Sequence, residues 1–199
     1  MIRFVTLGPA GSNHQFVAER YLAFHDLGRR ASISFFTTFA EGAAAVLEGR
    51  ADYMIQCAVH PATVATVAQY KNGLYVVDTF ISRSRDLAIV RNRAATAPKT
   101  LALMDPTRDY TDVSRWEKTI SEVTVVAVAD GLREGKYEAG LTYVSVAADE
   151  PERFIVDEFI GSVDDAWVVY GRTRVSGGDL VAWPDSPAAR LFRQEAAGG

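Results

Sequence analysis

The run Arg3-Phe4-Val5-Thr6-Leu7-Gly8-Pro9-Ala10-Gly11-Ser12-Asn13-His14 takes an apolar stretch into a Gly/Pro loop and then to capping residues. Residues 3–7 read as a short strand, and Gly8-Pro9-Ala10-Gly11 as the tight loop that ends it. Ser12 or Asn13 suits the N-cap of a following helix, because a side-chain oxygen there accepts a free N–H of the first turn. Phe16, Val17, Tyr21 and Phe24 then recur at helical spacing, and Gly28 closes the pattern. Strand, loop and helix in this order begin a strand–helix–strand unit, which commits the chain to an α/β fold.

The unit repeats outward from there. Residues 32–36 are a second strand. Thr38 caps a helix with Phe39, Ala43, Val46 and Leu47 on one face, Gly49 stops it, and residues 52–57 form a third strand. Pro61 opens a helix to about residue 70, and 74–81 and 87–90 are strands. Residues 100–104 follow as a strand, and 109–120 as a helix carrying Val113, Trp116 and Ile120. Residues 123–128 form a strand, 129–135 a short helix, and 139–142, 154–156 and 166–170 the last strands. Such alternation predicts a parallel sheet with helices on its faces. Residues 91–99 read as a loop between modules. Ser186-Pro187 opens a short helix over 188–195, and residues 196–199 are expected to fray.

Composition narrows the function. The 199 residues are 48% hydrophobic, enough to bury the core of one or two compact lobes. A net charge of −4 with mixed signs along the chain argues against a nucleic-acid surface, which needs clustered positive charge. One Cys excludes a disulfide framework and a Cys-rich metal site, and three His leave little material for a multi-His one. The N-terminal apolar run meets its Gly-Pro loop too soon for a secretory signal, and no window reaches the ~20 apolar residues of a membrane span. The expectation is a cytoplasmic protein with neither membrane nor nucleic-acid partner, and a homodimer is compatible with it.

Ligands of α/β sheets bind beyond the carboxyl ends of strands, which singles out residues 8–14, 56–63, 81–86 and 142–143. The 8–14 loop offers backbone N–H groups to a carboxylate or phosphate, and reads equally as an ordinary turn with a polar cap; it is no P-loop, since no Gly-Lys-Ser/Thr follows. Cys57 and His60 stand three apart, with no third group to orient a nucleophile. His60, held extended by Pro61, titrates near neutrality and suits either a structural or a functional role. Arg83 and Arg85 share a face if extended, and their forks suit an anion, with Asp86 as the competing partner. Asp164-Asp165 reads as an acid–base pair or as solvated charge.

Leu7-Gly8-Pro9-Ala10-Gly11-Ser12 resembles the Leu-Gly-Pro-x-Gly-Thr opening of prephenate dehydratase domains. The stretch from Phe39 through Glu48-Gly49-Arg50-Ala51-Asp52-Tyr53 is similar to that family's helix leading into an Ala-Asp-Tyr strand. The resemblance runs in order from residue 3 to about 171. It implies one catalytic domain over 1–199 with a two-lobed fold like type II periplasmic binding proteins. Lobe one would be about 1–80 plus 160–199, lobe two about 81–159, with the site in the cleft between them. Asp165-Ala166-Trp167 stands where the family carries Thr-Arg-Phe, and Val59-His60-Pro61 where it carries Glu-Asn-Ser, which puts dehydration in doubt. The stretch after Gly171 is too short for the family's regulatory ACT domain, so control by phenylalanine is not expected.

The stand-alone prephenate decarboxylases of bacilysin-type antibiotic pathways are more similar, in length, in a Trp at position 167 and at Ala139-Gly140-Leu141-Thr142. That resemblance implies a cofactor-free, metal-free lyase that removes carbon dioxide from prephenate, or a related cyclohexadienyl dicarboxylate, without aromatisation. On it, Gly11, Ser12 and Asn13 would bind one carboxylate and Arg83 or Arg85 the other. His60, or else His14, would be the acid, and Thr142 would orient the ring hydroxyl. The alternatives are a non-catalytic binding or sensing protein for a small carboxylate, and a dehydratase using Asp164 or Asp165.

Overall fold

The computed structural model describes residues 1–197. Its first half follows the expected alternation: β1 (Ile2–Leu7), α1 (Asn13–Phe24), β2 (Ala31–Phe36), α2 (Phe39–Leu47), β3 (Tyr53–Cys57), α3 (Thr63–Tyr70) and β4 (Tyr75–Arg83). Ser12 caps α1 by accepting the Gln15 N–H at 3.3 Å, and Thr38 caps α2 by accepting that of Glu41 at 3.2 Å. α1 stops short of Gly28. Asp26 takes a left-handed backbone (φ 53°), and Leu27 N–H reaches back to the Leu22 carbonyl at 2.8 Å, closing the end as a Schellman turn without glycine. Phe24 is consequently exposed rather than part of the buried stripe, which is Val17, Ala18 and Leu22.

The second half runs β5 (Leu87–Asn92), β6 (Thr100–Met104), β7 (Lys118–Glu122), α4 (Val125–Arg133), β8 (Ala139–Tyr143), α5 (Ser145–Asp149), β9 (Phe154–Gly161), β10 (Asp164–Gly171) and α6 (Pro187–Ala197). Three expectations fail here. The helix expected over 109–120 is two short 3₁₀ turns, Asp105–Tyr110 and Val113–Arg115, followed by β7, whose residues pair in parallel with β6 from Thr100↔Lys118 to Met104↔Glu122. The strand expected over 123–128 is mostly α4. Thr124 is extended and accepts the Ala127 N–H at 2.9 Å, and Val125, Val128, Ala129 and Leu132 then fall on one buried face. Residues 93–99 join β5 to β6 inside one sheet, so they do not separate modules. Ala196 and Ala197 belong to α6, and Gly198-Gly199 lie outside the described residues.

The strands form two five-stranded mixed sheets rather than one parallel sheet. Their orders are β2-β1-β3-β10-β4 and β7-β6-β8-β5-β9. β1 is parallel to β2 and β3, and β10 runs antiparallel between β3 and β4. In the second sheet β6 is parallel to β7 and β8, and β5 is antiparallel to β8 and β9. These directions place the carboxyl ends of β1, β3 and β4 on one edge of the first sheet, and those of β6, β8 and β9 on one edge of the second. The chain crosses between those edges twice, through residues 84–86 and 162–163, and Ser84 N–H donates to the Val163 carbonyl at 2.9 Å where the crossings meet. The two strand-end edges therefore face each other across a seam, the position ligands use in open α/β sheets.

Candidate functional site

Four rings meet at the seam's first-sheet side. His14, in the first turn of α1, lies 5.1 Å from Trp167 of β10, 5.6 Å from Phe39 at the start of α2 and 6.0 Å from His60 after β3, centroid to centroid; Phe39 and His60 are 4.9 Å apart. Trp167 is wholly buried, and Cys57 sits opposite it in the β3–β10 ladder. The Nε2 of His14 and the Nε1 of Trp167 are shielded from solvent and have no hydrogen-bond partner. A buried unpartnered polar atom costs ~1–3 kcal/mol, so two of them in one ring cluster are a cost that the packing of the rings does not offset with hydrogen bonds. Burial holds the His14 pKa down to about 3, with His60 adding a smaller push, and burial also lowers that of His60. Both imidazoles are neutral at pH 7. His60 Nδ1 accepts the Ala62 N–H at 3.1 Å, which leaves the ring proton on Nε2.

A polar network borders this cluster. Asn13 Nδ2 donates to Ser84 Oγ at 2.8 Å, and Ser84 Oγ in turn donates to Asp165. Asn13 Oδ1 accepts the Arg85 N–H at 2.9 Å, and Asn13 N–H donates to the Tyr143 hydroxyl at 3.0 Å. Arg85 stacks 4.0 Å over the Tyr143 ring, donates to the Gly11 carbonyl and donates to Ser145 Oγ at 2.9 Å. Asn13 and Arg85 thus latch α1 of the first sheet to the carboxyl end of β8 in the second. Such bonds net ~0.5–1.5 kcal/mol each, and the cation–π contact ~0.5–2. Together they match the ~4–8 kcal/mol of a millimolar-to-micromolar ligand, so a ligand can compete with the latch. Tyr110, from the first 3₁₀ turn, faces Asp165 and Cys57; burial first and Asp165 second raise its phenol pKa.

The sequence-derived residues fare differently. Asn13, His14 and His60 lie at the seam. Gly11 and Ser12 are spent within the turn: Gly11 N–H donates to Gln15 Oε1 at 2.7 Å, and Ser12 Oγ serves the cap. The expected carboxylate cradle at the α1 terminus is thus filled by the chain's own acceptors. Arg83 is exposed and held by Asp86 at 2.5 Å and by Ser162. Thr142 is fully buried and donates to the Val125 carbonyl at 3.0 Å, so it braces α4 and does not reach a ligand's ring hydroxyl. Asp164 and Asp165 alternate along β10 and point to opposite faces, which breaks the acid–base pair. The Cys57 thiol is pushed up by burial, and its carbonyl accepts the His60 N–H at 3.1 Å; that is a turn, not a nucleophilic dyad. Phe39 and Tyr110 carried no sequence signal as site residues, because their places arise from contacts between distant segments, and Ser84 was legible only as a member of the 81–86 strand-end stretch. Gln56, at the start of the 56–63 stretch, is fully buried in β3 with both amide atoms unpartnered.

Among the described residues no three His, Cys, Asp or Glu side chains gather to hold a metal, and no helix is long and apolar enough to cross a membrane. No protein-family model matches the chain, and no curated protein does. Solved structures do match. A prephenate dehydratase from Arthrobacter aurescens in complex with L-Phe aligns over 98% of this chain and 72% of its own, with a TM-score of 0.66 and 18% identity. A prephenate dehydratase from Staphylococcus aureus aligns over 100% and 80%, with 0.60 and 11%. An ABC transporter protein from Parabacteroides distasonis aligns over 98% and 70%, with 0.54 and 13%. The chain has a two-sheet α/β fold shared by prephenate dehydratases and periplasmic-binding-protein-like domains.

Proposed function

We propose that the chain is a cofactor-free lyase that binds a small cyclohexadienyl dicarboxylate, prephenate or a close relative, between two lobes, and removes carbon dioxide without aromatising the ring. The lobes are the two sheets with their helices, about 1–80 plus 160–199 and about 81–159. The observation that carries the reading is the unpartnered Nε2 of His14 inside the cluster of Phe39, His60 and Trp167. Such surroundings accept a hydrocarbon ring and solvate a carboxylate poorly. Loss of a carboxylate as neutral carbon dioxide is favoured by that poverty. The carbon–carbon bond to the ring carboxylate breaks, its electron pair passes into the diene, and the terminal carbon takes up a proton.

In this reading His60 acts as an imidazolium: its Nδ1 releases the Ala62 N–H and takes up a proton, its Nε2–H is delivered to the ring, and the neutral imidazole is left, while His14 hydrogen-bonds a polar substituent. The substrate's negative charge raises the His60 pKa from its lowered value toward the working pH. Arg85 holds the remaining carboxylate by turning from Gly11, and Asn13 and Ser84 complete the contact. Purified protein incubated with prephenate at neutral pH, with products read by mass spectrometry, tests this directly. A product lighter by carbon dioxide alone, with its hydroxyl retained, is expected, and His60→Ala should lower kcat by ~10²–10⁴ with little change in KM. Phenylpyruvate would instead assign dehydratase chemistry.

A binding role is the second reading, favoured by the latch: Asn13 and Arg85 already close the seam through the chain's own groups. A binder would be stabilised by prephenate, by mass action, and leave it unconsumed.

A further inference from the structure

A cavity of about 290 Å³ lies on the flank of the 84–86 crossing. Phe16, Arg20, Arg83, Arg85, Asp86 and Tyr143 form most of its wall, and none of the rings around His14 contributes to it. Asn13, Phe16 and Arg20 fall on one face of α1, so the cavity continues along the helix from the latch and away from the His14 cluster. Three guanidiniums converge there against one carboxylate. Asp86 is taken by Arg83 at 2.5 Å. Among the described residues neither Arg20 nor Arg85 has a carboxylate partner. The Arg85 guanidinium donates only to a carbonyl and a hydroxyl, and Arg20 lies 5.4 Å over the Phe16 ring.

Most arginines elsewhere are paired with a carboxylate, although Arg93 rests on the Pro151 carbonyl and Arg174 over the Tyr75 ring. Arg3, Arg91, Arg115 and Arg133 each hold an Asp or Glu. Gathering like charges without compensation is unfavourable, and the balance is restored when an anion enters. The two guanidiniums without a carboxylate each sit over an aromatic ring, Arg20 5.4 Å from the centre of Phe16 and Arg85 4.0 Å from that of Tyr143, and guanidinium forks suit oxyanions. Ser145, whose oxygen accepts from Arg85, adds a hydroxyl donor to the wall. The size falls just below the ~300–1,000 Å³ of small-molecule sites.

We infer that this cavity is a binding site for a small dianion, a phosphate group or a compact dicarboxylate, separate from the His14–His60 site and joined to it through Arg85. Because Arg85 also holds the Gly11 carbonyl, an anion here acts on the seam's latch. Occupancy and cleft binding are then thermodynamically coupled, each changing the other's affinity by the same factor.

The test is calorimetric titration of the purified chain with inorganic phosphate and, separately, with malonate, at constant ionic strength set with chloride. Saturable binding of at least one is expected, and the arm that binds more tightly tells phosphate from dicarboxylate. Arg20→Gln should weaken it at least tenfold. Arg29→Gln, the same charge change at an exposed position outside the cavity wall, should leave it unchanged. Circular dichroism and melting curves confirm that both variants are folded. No saturable heat with either anion, or equal weakening in both variants, overturns the proposal. Prephenate consumption by Arg20→Gln is read in parallel, so loss of the anion site and loss of the lyase reading are separate results.

Discussion

His14 carries its imidazole where protonation is costly. Its pKa of about 3 follows from burial among Phe39, His60 and Trp167, with no acceptor for an added proton. Between its ordinary value near 6.5 and about 3, the unfolded chain binds a proton that the folded chain refuses. Stability therefore falls as pH drops through that window, by at most ~1.4 kcal/mol per pH unit. His14→Gln keeps a polar side chain of similar reach and removes the titration. Urea unfolding at pH 7, 6, 5 and 4 should show a shallower acid-side loss in the variant than in the parent. Parallel curves would mean that the ring reaches solvent and titrates normally. The residue's position was legible in the sequence, since a His in the first turn after a strand-end loop faces the ligand edge. Its neutrality was not, because Phe39 and Trp167 arrive from distant parts of the chain.

Element by element, legibility depended on whether local chemistry and long-range pairing agreed. Ser12 and Thr38 cap helices whose apolar faces follow at once, so α1 and α2 could be read from the chain alone. Lys118–Glu122 could not: Val113, Trp116 and Ile120 mimic a helical stripe, and only pairing with β6 makes the segment a strand. The valine-rich start of α4 mimics a strand, yet the Thr124 cap and the tight seat of the helix on β8 decide it. Gly140 makes that seat. A Cβ there would stand 2.5 Å from Val128 Cγ1 and 3.2 Å from Leu132 Cδ1, in a contact that a β-branched neighbour cannot relieve by rotating. Gly140→Ala should therefore cost ~1–3 kcal/mol in urea unfolding, through overpacking of α4 on β8. A change under ~0.5 kcal/mol would show that α4 shifts freely and is not seated by this contact.

On the scale of the whole molecule, the two sheets are joined by two short crossings and by contacts that Asn13 and Arg85 make across the seam. The crossings fix the hinge, and the side chains fix the angle. Arg85 is the residue to remove, because one guanidinium holds the Gly11 carbonyl, Ser145 and the Tyr143 ring at once. Arg85→Gln should lower stability by ~1–3 kcal/mol and open the seam, since hydrogen bonds and a partly buried cation–π contact are lost together. Small-angle scattering should give a larger radius of gyration for the variant, and amides of residues 11–13 and 84–86 should exchange at least tenfold faster while those of β1, β3 and β6 do not. Gly140→Ala separates the two effects, because it weakens packing within the second sheet and leaves the latch intact. If Arg85→Gln lost stability like Gly140→Ala but kept the parent radius and the parent exchange at 84–86, Arg85 would be a packing residue, and the seam would be closed by the crossings alone.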